Sequence, residues 1–142
     1  RRKLFQENGN TNKKILEMIN KTALASMDID DDDIKAIGKL LLNSKNTLEK
    51  CSIWLMDLYN ENPEMAASGA TPFLNMYGWI LGGWIMTKSA IKAKAIIKND
   101  PKNKFAIEKI NTSTFFCKSY LPIANALEST IKFSYKSILN YS

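Results

Sequence analysis

The stretch GATPFLNMYGWILGGWIMTKSAIKA, residues 69–93, decides the fold. Its longest uninterrupted apolar run, residues 76–86, is much shorter than the roughly 18 residues that a membrane-spanning helix needs. Thr71 and Pro72 form a helix-start signal, since a hydroxyl can cap the free N–H groups and proline suits the first turn. The stretch therefore predicts a helix of a packed bundle, and it excludes a membrane span.

The glycines of this stretch are unusual because they lie inside a helical pattern. No strand precedes them, so they do not form the strand-to-helix turn of a phosphate-binding loop. Gly78 and Gly82 share one helix face, and each costs about 1 kcal/mol relative to alanine. We expect another backbone to approach this face closely. The predicted docking surface consists of Phe73, Tyr77, Gly78, Trp79, Gly82 and Trp84.

Two further helices precede this stretch, with predicted ranges of about 10–27 and 34–59. The acidic run at residues 28–33 has the composition of a helix start, because carboxylates cap the helix and favour the positive end of its dipole. A calcium loop is excluded, since Asp33 stands where the loop needs glycine and Lys39 where it needs glutamate.

The remaining sequence predicts a last pair of helices. Asp100 and Pro101 repeat the cap-and-proline signal. Pro122 is expected to kink or break the helical pattern that follows, because proline cannot donate to the carbonyl of Lys118. No segment shows sustained alternation of apolar and polar residues. The prediction is a single all-α domain over residues 1–142, an up-and-down bundle of about four to five helices whose last pair is broken at Pro122.

Composition leaves little for catalysis. The 142-residue chain contains no histidine, and its two cysteines, Cys51 and Cys117, are predicted to be buried thiols in a reducing, cytoplasmic environment. The acidic residues are expected at exposed positions. We therefore predict no catalytic, cofactor-binding or metal-binding residue in this chain.

The net charge of +6 leaves an alternative function open. Lysines are spread along the helical patterns, which favours a solvated surface over a phosphate-binding patch. An independent basic helical module that binds nucleic acid or acidic partners is the alternative. Association of residues 79–98 with a membrane surface is less favoured, because interfacial helices rarely carry two central glycines.

Three blocks carry a family resemblance. The stretch at 68–93 resembles the hallmark of the C-terminal region of long-form acyl-CoA dehydrogenases. The block FAIEKINTSTFFCKSYLPIANAL is similar to the helix pair that follows it there, and RRKLFQENGN is similar to the segment after their catalytic loop. Within the family, the chain resembles the subgroup that includes 3-methylmercaptopropionyl-CoA dehydrogenase. The positions that match the hallmark are Gly69, Ala70, Pro72, Leu74, Gly78, Gly82, Gly83 and Lys88.

The resemblance implies the C-terminal fragment of a longer flavoenzyme of fatty acid metabolism. Such an enzyme uses FAD for the α,β-dehydrogenation of an acyl-CoA thioester and is reoxidised by electron-transfer flavoprotein. In the family, the catalytic glutamate lies just before the segment that matches Arg2, Lys3 and Leu4, so the resemblance implies that this fragment alone is inactive. It also implies that the fragment packs on the remainder of the dehydrogenase chain and supports a dimer, without nucleic acid as a partner.

Overall fold

The chain forms five α-helices joined by short connections. The structure, a computed structural model, describes the backbone of residues 2–141 and the side chains of residues 9–132. The helices are α1 (Arg2–Met27), α2 (Asp32–Glu61), α3 (Pro63–Ser68), α4 (Ala70–Asn99) and α5 (Lys104–Tyr141). No strand occurs between residues 2 and 141. The predicted all-α bundle is confirmed.

Long helices that follow one another along the chain run antiparallel, whereas α2 and α5 pack in parallel, with Asp33 near Lys118 and Cys51 near Glu128. Asn12 of α1 contacts Ser52 of α2, and Ser26 lies against Gly38, so the two helices run in opposite directions. The most extensive contact in the bundle joins α4 to α5. Ile and Leu side chains with no exposed surface fill the centre, and both cysteines lie among them as buried thiols, as predicted. The largest of these fully buried aliphatic residues are Ile19, Ile34, Ile37, Leu41, Leu48, Met76, Ile80, Leu121 and Ile131.

The acidic run starts α2, as predicted. Asp31 is the N-cap, and its Oδ1 accepts a hydrogen bond of 3.0 Å from the backbone N–H of Ile34. Its other oxygen, Oδ2, lies 3.3 Å from Lys94 Nζ on α4. One side chain therefore begins a helix and joins it to another.

Two other predicted caps are wrong by two or three residues. The N-cap of α4 is Gly69 rather than Thr71, because the Phe73 N–H already bonds to the Gly69 carbonyl at 3.0 Å. Asp100 ends α4 instead of starting α5, since its N–H still bonds to Ile96. Asn103 caps α5 by accepting a hydrogen bond of 3.0 Å from the Ala106 N–H.

The predicted break at Pro122 is also wrong. Helix α5 is continuous through this proline. The buried side chains before and after it, Cys117, Leu121 and Ala124, keep helical spacing toward the core, whereas Pro122 is exposed. Burial of this apolar stripe outweighs the lost hydrogen bond, so the helix does not divide.

Candidate docking surface

The described residues form no recognisable catalytic centre. No group of three or more His, Cys, Asp or Glu side chains that could hold a metal ion occurs in this part of the chain. Burial raises the pKa of Cys51 to about 11, with a further rise from the charge of Glu128 and an opposing effect of Lys132. Burial also raises the pKa of Cys117, against the hydrogen bond with Thr87. Both thiols are thus protonated at neutral pH and are poor nucleophiles.

Two of the glycines in α4 are covered from within the domain. A Cβ placed on Gly82 would meet the ring of Phe116 at 2.8 Å, and one on Gly83 would meet Leu121 Cδ2 at 2.7 Å. The prediction of another backbone at Gly82 is therefore wrong, because the close neighbour is a side chain of α5. These contacts leave no space for a phosphate or a flavin above either glycine.

The two tryptophans of the predicted surface also have partners inside the domain. Trp79 stacks on Tyr120 of α5 with ring centroids 4.6 Å apart and planes within 5° of parallel. Trp84 Nε1 donates a hydrogen bond of 2.9 Å to Thr22 Oγ1 on α1. Lys88 Nζ lies 4.7 Å from the Trp84 ring centroid, a cation–π distance. These residues join helices, and their packing needs no second molecule.

The other predicted aromatic residues line a groove. Phe73 and Tyr77 form one wall of an apolar depression of about 570 Å³ where α1, α2, α3 and the start of α4 meet. We refer to this depression as the α1–α4 groove. Burial raises the pKa of the Tyr77 phenol, in keeping with its apolar surroundings. The other apolar residues that line the α1–α4 groove include Ile15, Leu55, Met56, Tyr59, Ala66 and Leu74.

Gly78 differs from the other glycines because nothing fills the space beside it. Apart from its chain neighbours and the backbone of its own helix, no atom of the described residues lies within 4 Å of a Cβ placed there. Leu74 and Ile85, four residues before and seven after, share its face of the helix and are 66% and 58% exposed. Together, Leu74, Gly78 and Ile85 form an exposed apolar stripe, which we call the α4 stripe.

The structure thus divides the six predicted docking residues. Trp79, Gly82 and Trp84 are engaged within the bundle, whereas Phe73 and Tyr77 line the α1–α4 groove and Gly78 lies on the α4 stripe. The sequence reasoning missed Leu74, which belongs to both surfaces. Its spacing of four from Gly78 was the available signal.

The described helices include none that is long and apolar enough to cross a bilayer. Several lysines also have acidic partners. Lys45 lies 2.9 Å from Glu49, and Lys132 lies 3.6 Å from Glu128. Nothing in this geometry supports the alternative of a basic module that binds nucleic acid.

Comparison with known proteins completes the description. A family model described as "acetyl-CoA dehydrogenase C-terminal like" matches residues 15–141. The chain is 26% identical over 141 residues to 3-methylmercaptopropionyl-CoA dehydrogenase of Ruegeria pomeroyi. That alignment covers 99% of this chain and 24% of the relative, so the chain spans about a quarter of the relative's length. No solved structure matches the chain.

Proposed function

The chain belongs to the acetyl-CoA dehydrogenase C-terminal-like family, and on that premise we propose that it is the C-terminal helical domain of an FAD-dependent acyl-CoA dehydrogenase. The observation that carries the proposal is the similarity to a curated acyl-CoA dehydrogenase along 99% of this chain. The reaction proposed for the whole enzyme is the α,β-dehydrogenation of an acyl-CoA thioester. The acid–base and redox chemistry would come from the remainder of the enzyme.

The flavin does not fit the described residues. The glycines that come nearest to a phosphate-loop pattern, Gly82 and Gly83, are covered by Phe116 and Leu121. Residues 9–132 also contain no histidine, and both cysteine thiols are buried. We therefore assign this domain a structural role, namely packing on the catalytic part of the enzyme and supporting the assembly of its subunits, and we infer that the domain alone is inactive.

Support for packing on a larger body comes from the α4 stripe. Gly78 costs about 1 kcal/mol relative to alanine in a helix interior, and no contact among the described residues uses the space that the missing side chain leaves. Leu74 and Ile85 add exposed apolar area on the same face. Exposed apolar residues that share one helix face fit a protein contact better than isolated ones do.

The remaining parts of the proposal concern partners and compartment. We propose that the whole enzyme is a homo-oligomer and that electron-transfer flavoprotein reoxidises it. The buried free thiols Cys51 and Cys117 favour a reducing compartment, so we place the enzyme in the cytoplasm.

The test is the intact mass and visible absorption spectrum of the native protein isolated from its source. We expect a subunit several times heavier than the 16.1 kDa of this chain, with a flavin band that bleaches when an acyl-CoA is added. A colourless native polypeptide of the mass of this chain would refute the proposal. A heavy flavoprotein whose band resists every acyl-CoA would retain the cofactor and refute the reaction.

A further inference from the structure

The α1–α4 groove is apolar and open at one side. Its walls include Ile15, Leu55, Phe73 and Tyr77, which are only partly buried. Leu74 at its edge is 66% exposed, and Met56 is 36% exposed. The lining contains no charged residue among the described side chains. A matching occupant is therefore apolar, and charge attraction contributes little to its binding.

The first described turns of α1 form one wall of this groove. Gly9, Asn12 and Ile15 all line it. Arg2, where α1 begins, is seven residues before Gly9, a distance of about 10 Å along the helix axis at 1.5 Å per residue. Any polypeptide that enters the domain ahead of α1 thus arrives close to the groove.

The length of the relative indicates how much polypeptide this is. If the domain is the C-terminal part of a dehydrogenase, as proposed above, the remaining three-quarters of a chain of that size precede residue 1. A segment tethered at this point has a high effective concentration at the groove, so it needs little intrinsic affinity to remain bound.

A second copy of the same surface is a poor occupant. A two-fold axis that passes through the groove would set one concave surface against another, and both grooves would stay unfilled. We infer that apolar side chains of the segment directly preceding residue 1, in the same subunit, fill the α1–α4 groove. This inference rests on the proposed function.

Site-specific cross-linking in the full-length enzyme tests the inference. The photoreactive residue p-benzoylphenylalanine replaces Tyr77, which lines the groove and lies outside the α4 stripe. The matched control carries it in place of Ile96, which is 42% exposed on the same helix and does not line the groove. Mixing subunits with natural and ¹⁵N isotope composition before irradiation separates cross-links within a subunit from those between subunits.

We expect position 77 to cross-link within its own subunit to a peptide from about the 30 residues before residue 1, because a few extended residues already span 10 Å. Position 96 should not cross-link to that peptide. Capture of residues 1–142 of another subunit, capture of another peptide in its place, or no cross-link at position 77 would each overturn the inference, as would equal labelling by both positions.

Mass and flavin spectra of the same samples separate this inference from the proposed function. A flavoprotein that bleaches with acyl-CoA but lacks the expected cross-link keeps the proposed function and loses the inference. A colourless protein that gives the cross-link keeps the groove's occupant and loses the proposed reaction. A native chain with no segment before residue 1 removes both.

Discussion

Three interior glycines of α4 have three different surroundings, and these predict different effects of the same substitution. Nothing lies near a Cβ at Gly78, so Gly78→Ala should raise the free energy of unfolding of the chain by about 1 kcal/mol through helix propensity. At Gly83, the new methyl group would press on fully buried Leu121, and Gly83→Ala should lower that free energy by about 1–3 kcal/mol despite the same propensity gain.

Urea unfolding followed by circular dichroism measures both glycine variants under the same conditions. Each substitution is the other's control, because both place alanine in the same helix. If Gly83→Ala stabilised the chain as much as Gly78→Ala does, the tight contact with Leu121 would be contradicted.

Asp31 predicts a specific dependence of stability on pH. Burial alone would raise the pKa of Asp31. Hydrogen bonds from Lys94 and from the backbone N–H groups of Ile34 and Asp33, together with the positive charge of Lys94, outweigh burial and hold this pKa below its usual value. Since the folded-state pKa is below the unfolded one, the carboxylate stabilises the fold above the unfolded value of about 3.9. This stabilisation is lost as the pH falls through the folded-state pKa.

Asp31→Asn should remove that contribution and leave the cap, because asparagine caps helices as well as aspartate does. We expect the variant to be about 0.5–1 kcal/mol less stable than the parent at pH 7 and to approach it as the pH falls to 3. Urea unfolding across this range gives the measurement. Asp33→Asn is the control, since the Asp33 side chain is 59% exposed and should change the curve little. A constant gap between Asp31→Asn and the parent at all pH values would contradict the prediction.

At the scale of the element, Pro122 shows how tertiary packing outweighs a local signal. Proline in a helix interior costs about 3 kcal/mol relative to alanine, and that cost predicted a break. The buried stripe through Cys117, Leu121 and Ala124 continues α5 past it. A single sequence reveals the local cost, but it does not show how much burial lies against each turn.

If α5 is continuous, Pro122→Ala should restore a hydrogen bond to the Lys118 carbonyl and raise the free energy of unfolding by about 1–3 kcal/mol. The neighbouring Ile123→Ala, at a position 47% exposed, should change it by less than about 0.5 kcal/mol. Chemical denaturation compares the two variants. No gain from Pro122→Ala would mean that the chain divides at this position after all.

Helix ends are a further case in which a local sequence signal is not sufficient to predict the structure. The acidic run predicted the start of α2 because Asp31 itself supplies the capping oxygen. Thr71 and Asp100 carry equally good signals, yet Gly69 and Asn103 are the caps. Which of several capping residues is used depends on where the preceding helix ends, and that end depends on contacts distant in sequence.

At the scale of the whole molecule, the sequence predicted a bundle and an unusually apolar α4. It did not predict which apolar side chains of α4 pack inside the bundle and which remain on its surface. Trp79 and Trp84 resemble docking residues in the sequence, and the bundle itself engages both. Gly82 and Gly78 look equivalent until Phe116 is placed beside one of them. Which residues of α4 are engaged and which stay exposed depends on the facing residues of α1 and α5. Helical periodicity in the sequence does not specify how those helices are aligned along α4.

The different surroundings of Gly82 and Gly78 also decide which substitution tests subunit association. Gly82→Leu would weaken the whole enzyme even without docking, because it clashes with Phe116 inside the domain. Gly78→Leu is the better probe, since leucine is the better helix former and its Cβ would meet no packed neighbour among the described residues. We expect it to leave the stability of the 142-residue chain unchanged or higher, and to weaken subunit association of the full-length enzyme at least tenfold, which corresponds to about 1.4 kcal/mol.

Analytical ultracentrifugation of the full-length enzyme over a dilution series measures the association. Ala95→Leu is the matched control, because it adds the same side chain at another exposed small residue of α4, 17 residues away, and should change neither quantity. Equal association of the Gly78→Leu enzyme and the parent would contradict a contact between subunits at the α4 stripe. Weakened association together with loss of stability in the 142-residue chain would instead place the effect inside the domain, where the space beside Gly78 predicts none.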